Sequence, residues 1–437
     1  MDQILYDYEL NPTTWVYVSS LMTIAIFFRF NRLFSIRNFD LLVLLAMAPG
    51  PLLVARGAGY ERIGYAWLFA IGGVWLVRLL ADPAMVRRPL LEPNLSAGGL
   101  TFMDCSLFLF LMMGVLAGDV TTDDLDGARR ADGILERKEA PPQPVVETHR
   151  PGYPLLHLLA SVPSRALVRP PTPAMEKEAE LARHVMTAKT MAILSHLAVV
   201  LGIVTIGLRH FGNLRTGIAA AGLYLLTPYS AQMVGRVDHA LPAALLVWAV
   251  AAYRRPMIAG ILLGVAAGTI FYPVFLLPLW LSFYWQRGRL RFVAGVVLSI
   301  AVLVASLTLT SSDMASFNAQ LRQMVGWPGT WTNSIIGFWA YTESAYRITA
   351  TTVFVVLSLS FALWPAQKNL GTLISCSAVV MLGAQFWNPQ DGGLYIAWYL
   401  PLLILTIFRP NLEDRVAIAV LSDHWLYRRR PQLRTAA

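Results

Sequence analysis

The sequence predicts an all-α, polytopic membrane protein of about 13 transmembrane or re-entrant helices with one large extracytoplasmic loop, and three observations carry that prediction. Of its 437 residues, 56% are hydrophobic and only 14% charged, with a mean hydropathy of +0.54, a balance that soluble domains do not keep. Apolar runs of roughly 13 to 19 residues recur from end to end, and at about 1.5 Å per residue most of them can cross a hydrocarbon core of about 30 Å. Basic residues gather in alternate connections between these runs.

The apolar segments are 12–28, 40–55, 63–80, 100–118, 191–209, 216–232, 239–253, 257–269, 271–285, 292–310, 348–364, 370–386 and 392–408. The first follows Met-Asp-Gln and acids rather than a basic leader, with no small-residue cleavage site after it, so it reads as a retained helix. Residues 1–99 form a three-span scaffold without a polar cluster inside the membrane. The stretch 257–285 is too long for one ordinary helix and is flanked by Arg254-Arg255 and by Arg287-Gly-Arg-Leu-Arg. A hairpin of two short helices, breaking around Phe271-Tyr272-Pro273, puts both basic flanks on one side.

Orientation follows from the same charges. With the N-terminus outside and the C-terminus in the cytoplasm, the cytoplasmic connections 29–39, 78–99, 209–215, 254–255, 286–291, 365–369 and the basic tail 409–437 hold about 20 Lys and Arg, against about five in the short outer segments. The net charge of +9 is therefore a topology signal and no nucleic-acid footprint, since the Arg residues sit singly or in pairs beside apolar runs. Only Cys105 and Cys376 are present, both inside apolar runs, which excludes a disulfide framework and a cysteine metal site.

One long polar segment, 119–190, interrupts this pattern and falls outside the membrane. It opens with Asp119, Asp123, Asp124 and Asp126 at the exit of the run 100–118. Leu125, Ala128, Ala131 and Leu135 then fall near one helical face, the pattern of a short amphipathic helix on the membrane surface. Pro-rich stretches at 140–144 and 169–173 bracket Tyr153-Pro-Leu-Leu-His-Leu-Leu-Ala, an interfacial helix with His149, Arg150 and Tyr153 as anchors. Residues 174–190 carry good helix formers with Glu176, Glu178 and Glu180 near their start and feed into the next span.

The later motifs carry a resemblance. Leu226-Thr-Pro-Tyr, Gly235-Arg-Val-Asp-His-Ala-Leu and the Gly-rich run from Arg254 through Tyr272-Pro273 to Pro278 resemble class C membrane glycosyltransferases (the GT-C fold), especially glycosyltransferase family 87. That family has a Pro-bearing helix, a Gly-Gln-Asp/Asn turn and a Gly-rich helix ending in Lys-x-x-Pro. Asn333-Ser-Ile-Ile-Gly resembles the family's outer-loop Asn-x-Ser-x-x-Gly, and Gly393-Leu-Tyr-Ile-Ala-Trp-Tyr-Leu-Pro401 its final-helix motif. The order of these motifs extends the resemblance over 100–408. Ile270 stands where the family has Lys, Arg236 where it has Gln, and Gly393 or Leu394 where it has His.

What the resemblance implies is transfer of a sugar, mannose- or pentose-type, from a polyprenyl-phosphate donor to an extracytoplasmic glycan or lipid acceptor, with inversion, in a bacterial inner membrane. An acceptor hydroxyl needs a positioned base as its oxygen attacks the anomeric carbon, and the loop acids Asp119, Asp123, Asp124 and Asp126 are the candidates. Asp123 and Asp124 form the pair suited to a divalent cation, Mg or Mn. Arg236, Asp238, His239, Tyr272, Asn333 and Arg347 are the candidate substrate contacts.

Each has a plainer reading beside it. The acids can complement the dipole of a helix capped by Thr121 or Thr122, Arg236 and Asp238 can be a structural pair, and Glu343 and Arg347 an i, i+4 surface pair. His196 reads as a packing residue, Arg78 and Asp104 as snorkelling ends, and Trp327, Trp331 and Trp339 as an aromatic belt. The competing functions are a non-enzymatic transporter of lipid or solute and a catalytically inactive relative of the glycosyltransferases. A transporter of repeat design requires matching broken helices in two halves, and the sequence offers one such hairpin.

Overall fold

The computed structural model describes residues 11–85, 92–136, 150–168, 175–311, 313–325 and 335–421. Among these residues the secondary structure is helical, with a single isolated β-bridge between Asn369 and Val416. The first half runs α1 (Pro12–Phe27), α2 (Ile36–Leu45), α3 (Pro49–Arg56), α4 (Glu61–Ala81), α5 (Ala97–Ala117), α6 (Thr122–Glu136), α7 (Gly152–Leu167), α8 (Glu176–Arg209), α9 (Leu214–Leu226) and α10 (Pro228–Gln232). The second runs α11 (Val237–Ala251), α12 (Pro256–Thr269), α13 (Leu277–Phe283), α14 (Arg289–Thr310), α15 (Met314–Val325), α16 (Ser344–Ser360), α17 (Leu370–Gln385), α18 (Leu400–Phe408) and α19 (Ala417–Val420).

Among the described residues five helical stretches are long and apolar enough to cross a membrane: 36–56, 61–84, 97–117, 176–209 and 289–308. The remaining apolar segments form shorter helices, among them α1, α9, α11, α12 and α17. Against the expected count of about 13 spans, the described residues hold five helices of spanning length and a set of shorter apolar helices. Pro explains several of the short ones, because it removes a backbone donor and clashes with the preceding turn. α9 ends at Leu226 and Pro228 restarts the chain as α10; the run 257–285 ends α12 at Thr269, turns through a 3₁₀ segment at Tyr272–Leu276 and resumes as α13, the break expected around Phe271-Tyr272-Pro273.

α17 and α18 are buried along their whole lengths and form the centre of the bundle. α5, α14 and α16 lie outside and turn Phe102, Leu109, Val297, Ile300, Val353 and Val356 outward, as lipid-facing helices do. The N-terminal helices share the core of the later helices rather than standing apart, with Trp15, Leu68 and Trp75 in the same cluster as Leu223, Val247 and Leu382.

The closest helix pairing is α12 with α14. Gly260, Gly264 and Gly268 repeat every fourth residue on α12, and a Cβ at Gly264 would lie 2.7 Å from Ser299 Cβ, while one at Gly260 would run into the Phe292 carbonyl. Small residues at this spacing let two backbones approach where lipid gives no hydrophobic drive for association.

One end of the bundle is closed by buried charge. Arg78 grips Asp40 through Nε (2.7 Å) and Nη2 (2.8 Å) and reaches Asp82 (3.3 Å), and Arg409 pairs with the other Asp82 oxygen at 2.5 Å. Two acids and two arginines are mutually neutralised there, as removal from water demands. Arg78 is buried in this group instead of snorkelling, because Asp40 and Asp82 supply what solvent would have. Asp104 is likewise buried, against Gly222, with Oδ1 lacking a hydrogen-bond partner among the described residues.

Gly260→Ala is expected to destabilise the protein by about 1–3 kcal/mol through backbone clash, whereas Gly114→Ala, with open space around it, is expected to be neutral or stabilising by up to about 1 kcal/mol. Thermal unfolding of both variants in one detergent checks the contrast.

Candidate functional site

The opposite end gathers the sequence's candidate residues. The chain leaves α5 at Gly118 and starts α6 under a local cap in which Thr121 Oγ accepts from the Asp124 backbone N–H (3.4 Å) and donates to Asp124 Oδ2 (2.5 Å). This is the Thr-x-x-acid capping relation, and it leaves Asp124 Oδ1 turned toward Arg236, whose Nε lies 3.3 Å away. Arg236 stands just before α11 and also forks onto Asp238, Nε to Oδ1 at 3.2 Å and Nη2 to Oδ2 at 3.1 Å. One guanidinium therefore bridges a carboxylate from the extramembrane helix α6 and one from the first turn of α11, where the helix dipole favours an anion. Burial opposes the charge on Arg236, but Asp238 and Asp124 outweigh it and raise its pKa above the ordinary value.

Aromatic groups extend the cluster inward. His239 Nδ1 and the Tyr229 hydroxyl form a hydrogen bond, and the His239 ring lies 4.7 Å from that of Tyr395. Tyr395 stacks on Trp398 at 4.3 Å, and Trp398 Nε1 donates to the Asp238 carbonyl at 3.0 Å. Tyr272 sits 5.2 Å from Trp398 and 5.3 Å from Trp387. Arg150 and Arg347 both act electrostatically on Tyr272, and the Arg150 guanidinium lies 4.6 Å from the centre of the Phe271 ring. Burial pulls Arg150 down to about 10, which leaves it charged at neutral pH. The buried Tyr153 hydroxyl is held well above its ordinary range by burial and then by Asp238 and Asp124, so it stays neutral.

Asp124, Arg236, Asp238 and His239 thus meet, with Tyr272 and Arg347 at the edge of the same aromatic group. Asp119 is exposed on the connection before α6, and Asp126 pairs with Arg130 one turn along at 2.9 Å. Asn333, His149, Trp327, Trp331 and the Asp123 side chain lie outside the described residues. Glu343 is exposed while Arg347 is buried, so the pair does not share a surface face. His196 is a packing residue, bonded to Tyr224 (2.9 Å) and the Val234 carbonyl (3.1 Å).

Among the described residues no group of three or more His, Cys, Asp or Glu is arranged to hold a metal ion. Asp124, the described half of the expected cation pair, spends its oxygens on Thr121 and Arg236, and a divalent ion there would have to displace the guanidinium.

A second cluster was not among the sequence candidates. Asp132, two turns beyond Asp124, is buried and receives Ser161 Oγ (2.9 Å) and Arg165 Nε (2.8 Å) from α7 and faces His184 Nε2 (3.1 Å) on α8. Arg165 also reaches Glu136 at 2.8 Å. Burial works against the Asp132 charge, yet Arg165, Ser161 and His184 together lower its pKa below the ordinary carboxylate value. The available signal was its register, because Ala128 and Asp132 lie four apart on the inward stripe of α6.

Comparison with protein-family models, with curated proteins and with solved structures returns no match to this chain.

A carboxylate with a depressed folded pKa contributes stability above its unfolded value, near pH 4, and loses it as pH falls through the folded value. Asp132→Asn is therefore expected to cost about 2 kcal/mol at neutral pH, with the gap to wild type closing below about pH 4. Melting curves of both proteins across that range measure it.

Proposed function

We propose that the protein transfers a sugar from a polyprenyl-phosphate donor to a hydroxyl of a glycan or lipid acceptor, with inversion, at the extracytoplasmic face of a bacterial inner membrane. The observation that carries this reading is the meeting of Asp124 with the Arg236–Asp238 fork at a bundle end that also carries Arg150, Arg347 and the Tyr272–Trp398–Tyr395 group. A carboxylate, several cations and aromatic rings at a membrane rim are what a lipid-borne phosphosugar requires. The order of motifs resembling glycosyltransferase family 87 supports the same class.

In this reading Asp124 accepts the proton of the acceptor hydroxyl while its oxygen attacks the anomeric carbon, and the bond from that carbon to the phosphate oxygen breaks. A single displacement inverts the centre. The polyprenyl phosphate departs along the membrane, its charge met by arginine: Arg236 beside the base, or Arg150 and Arg347 around Tyr272. Arg236 and Thr121 fix the Asp124 carboxylate in one orientation, which is how positioning lowers the barrier. The orientation is supported by the basic residues at the far end, Arg29, Arg78, Arg215, Arg254, Arg289 and Arg409, which the positive-inside rule assigns to the cytoplasm.

Membranes carrying the protein are expected to move labelled sugar from at least one donor in a panel of polyprenyl-phosphate sugars. Asp124→Asn should lower that transfer by about 100-fold or more at unchanged protein level, with Asp119→Asn close to wild type. Loss in Asp119→Asn alone would move the base to the loop. Absence of transfer from every donor would favour a transporter or an inactive relative.

A further inference from the structure

We propose that α7 lies in the surface layer of the bilayer at the site end, with one apolar stripe immersed in the acyl chains of that leaflet. Its amphipathicity is reversed relative to a helix that covers a soluble core. His157, Ser161 and Ser164 are buried, while Leu159, Val162 and Leu167 expose 67%, 56% and 69% of their surface. The buried polar groups are used internally: His157 Nδ1 lies 2.8 Å from the Tyr153 carbonyl, Ser161 donates to Asp132 at 2.9 Å and Ser164 to the Ala160 carbonyl at 2.7 Å. Leu159, Val162 and Ala166, three and four apart, make the outward stripe.

The height of the helix identifies what covers it. At its start the Arg150 N–H donates to the Thr269 carbonyl at the end of α12 (3.0 Å), and Gly152 abuts Gly268 so closely that a Cβ would lie 2.7 Å from its carbonyl oxygen. Lys189 Nζ donates to the Leu116 carbonyl at 2.6 Å, which aligns the end of α5 with that level of α8. His184, which meets the Asp132 group and through it the middle of α7, lies five residues before Lys189, toward the start of α8, a rise of about 8 Å. The middle of α7 therefore lies about 8 Å beyond the end of α5, at the level of the surface layer, about 5–10 Å deep, in which amphipathic helices seat their apolar faces. At the start of the helix Leu155 packs against the buried side chains of Leu303 and Leu307 on α14, whose other face turns Val297, Leu298 and Ile300 outward. An apolar face this exposed does not stand against water. Immersion of α7 holds α6, and with it Asp124, at headgroup depth.

The test uses the full chain with Cys105→Ser and Cys376→Ser, carrying Leu159→Cys or, as a second variant, Val162→Cys, labelled with an environment-sensitive fluorophore in phosphatidylcholine/phosphatidylglycerol vesicles. Leu298→Cys marks lipid and Glu178→Cys, on the exposed start of α8, marks water. Brominated acyl chains are expected to quench both α7 positions as strongly as Leu298→Cys, with iodide on both faces quenching only Glu178→Cys. Iodide quenching of the α7 positions would place the stripe in water, and protection from both quenchers would place it under a second copy or another protein; either overturns the proposal. The readout requires no catalysis, so it stands or falls apart from sugar transfer.

Discussion

Arg236 is the joint on which the site end depends. Its side chain ties α6, through Asp124, to α11, through Asp238. At a membrane rim such a tie is strong because neither carboxylate can be left unpaired without a desolvation cost of several kcal/mol. With α6 held there, its inward stripe carries Asp132 to Ser161, Arg165 and His184, and α6, α7 and the first turns of α8 become one clamp. The order of dependence runs from cap, to ion bridge, to clamp.

The two ends of the bundle use the same chemistry to opposite effect. At the far end Asp40, Arg78, Asp82 and Arg409 are buried and paired with one another, an arrangement that closes helix ends. At the site end the arginine is only partly covered, with 27% of its side chain exposed, and aromatic and further cationic groups lie beside it. An incompletely covered charge cluster at a rim suits a ligand that brings its own phosphate and its own lipid tail. That asymmetry is why the proposed chemistry is assigned to one end.

Much of the architecture was legible in the sequence because the membrane is a simple solvent. Apolar runs marked the helices, Pro273 marked the break after α12, and Leu125, Ala128 and Ala131 marked the buried face of α6. Span lengths were less legible, since hydropathy does not register where Pro228 interrupts a run. Arg78 was misjudged for a related reason: Asp82 lies i, i+4 from it, but the partner that holds it through two bonds, Asp40, is 38 residues away, and no local pattern joins those two. At the site, the acid cluster, Arg236, Asp238 and His239 were all visible, but Asp124 could not be told from Asp119 and Asp126 without knowing which of them faces Arg236. Asp132 and His184 were hidden because a polar residue on an apolar stripe looks like an interruption until its partners on two other helices are seen.

The measurement that bears most directly on this account is a double-mutant cycle on Asp124 and Arg236, read as thermal stability of the wild type, Asp124→Asn, Arg236→Gln and the double variant in one lipid or detergent environment. The bridge predicts a coupling energy of about 1 kcal/mol or more between the two substitutions. Additive effects, within about 0.3 kcal/mol, would contradict it, separating α6 from α11 and removing the ground for placing Asp124 in the site.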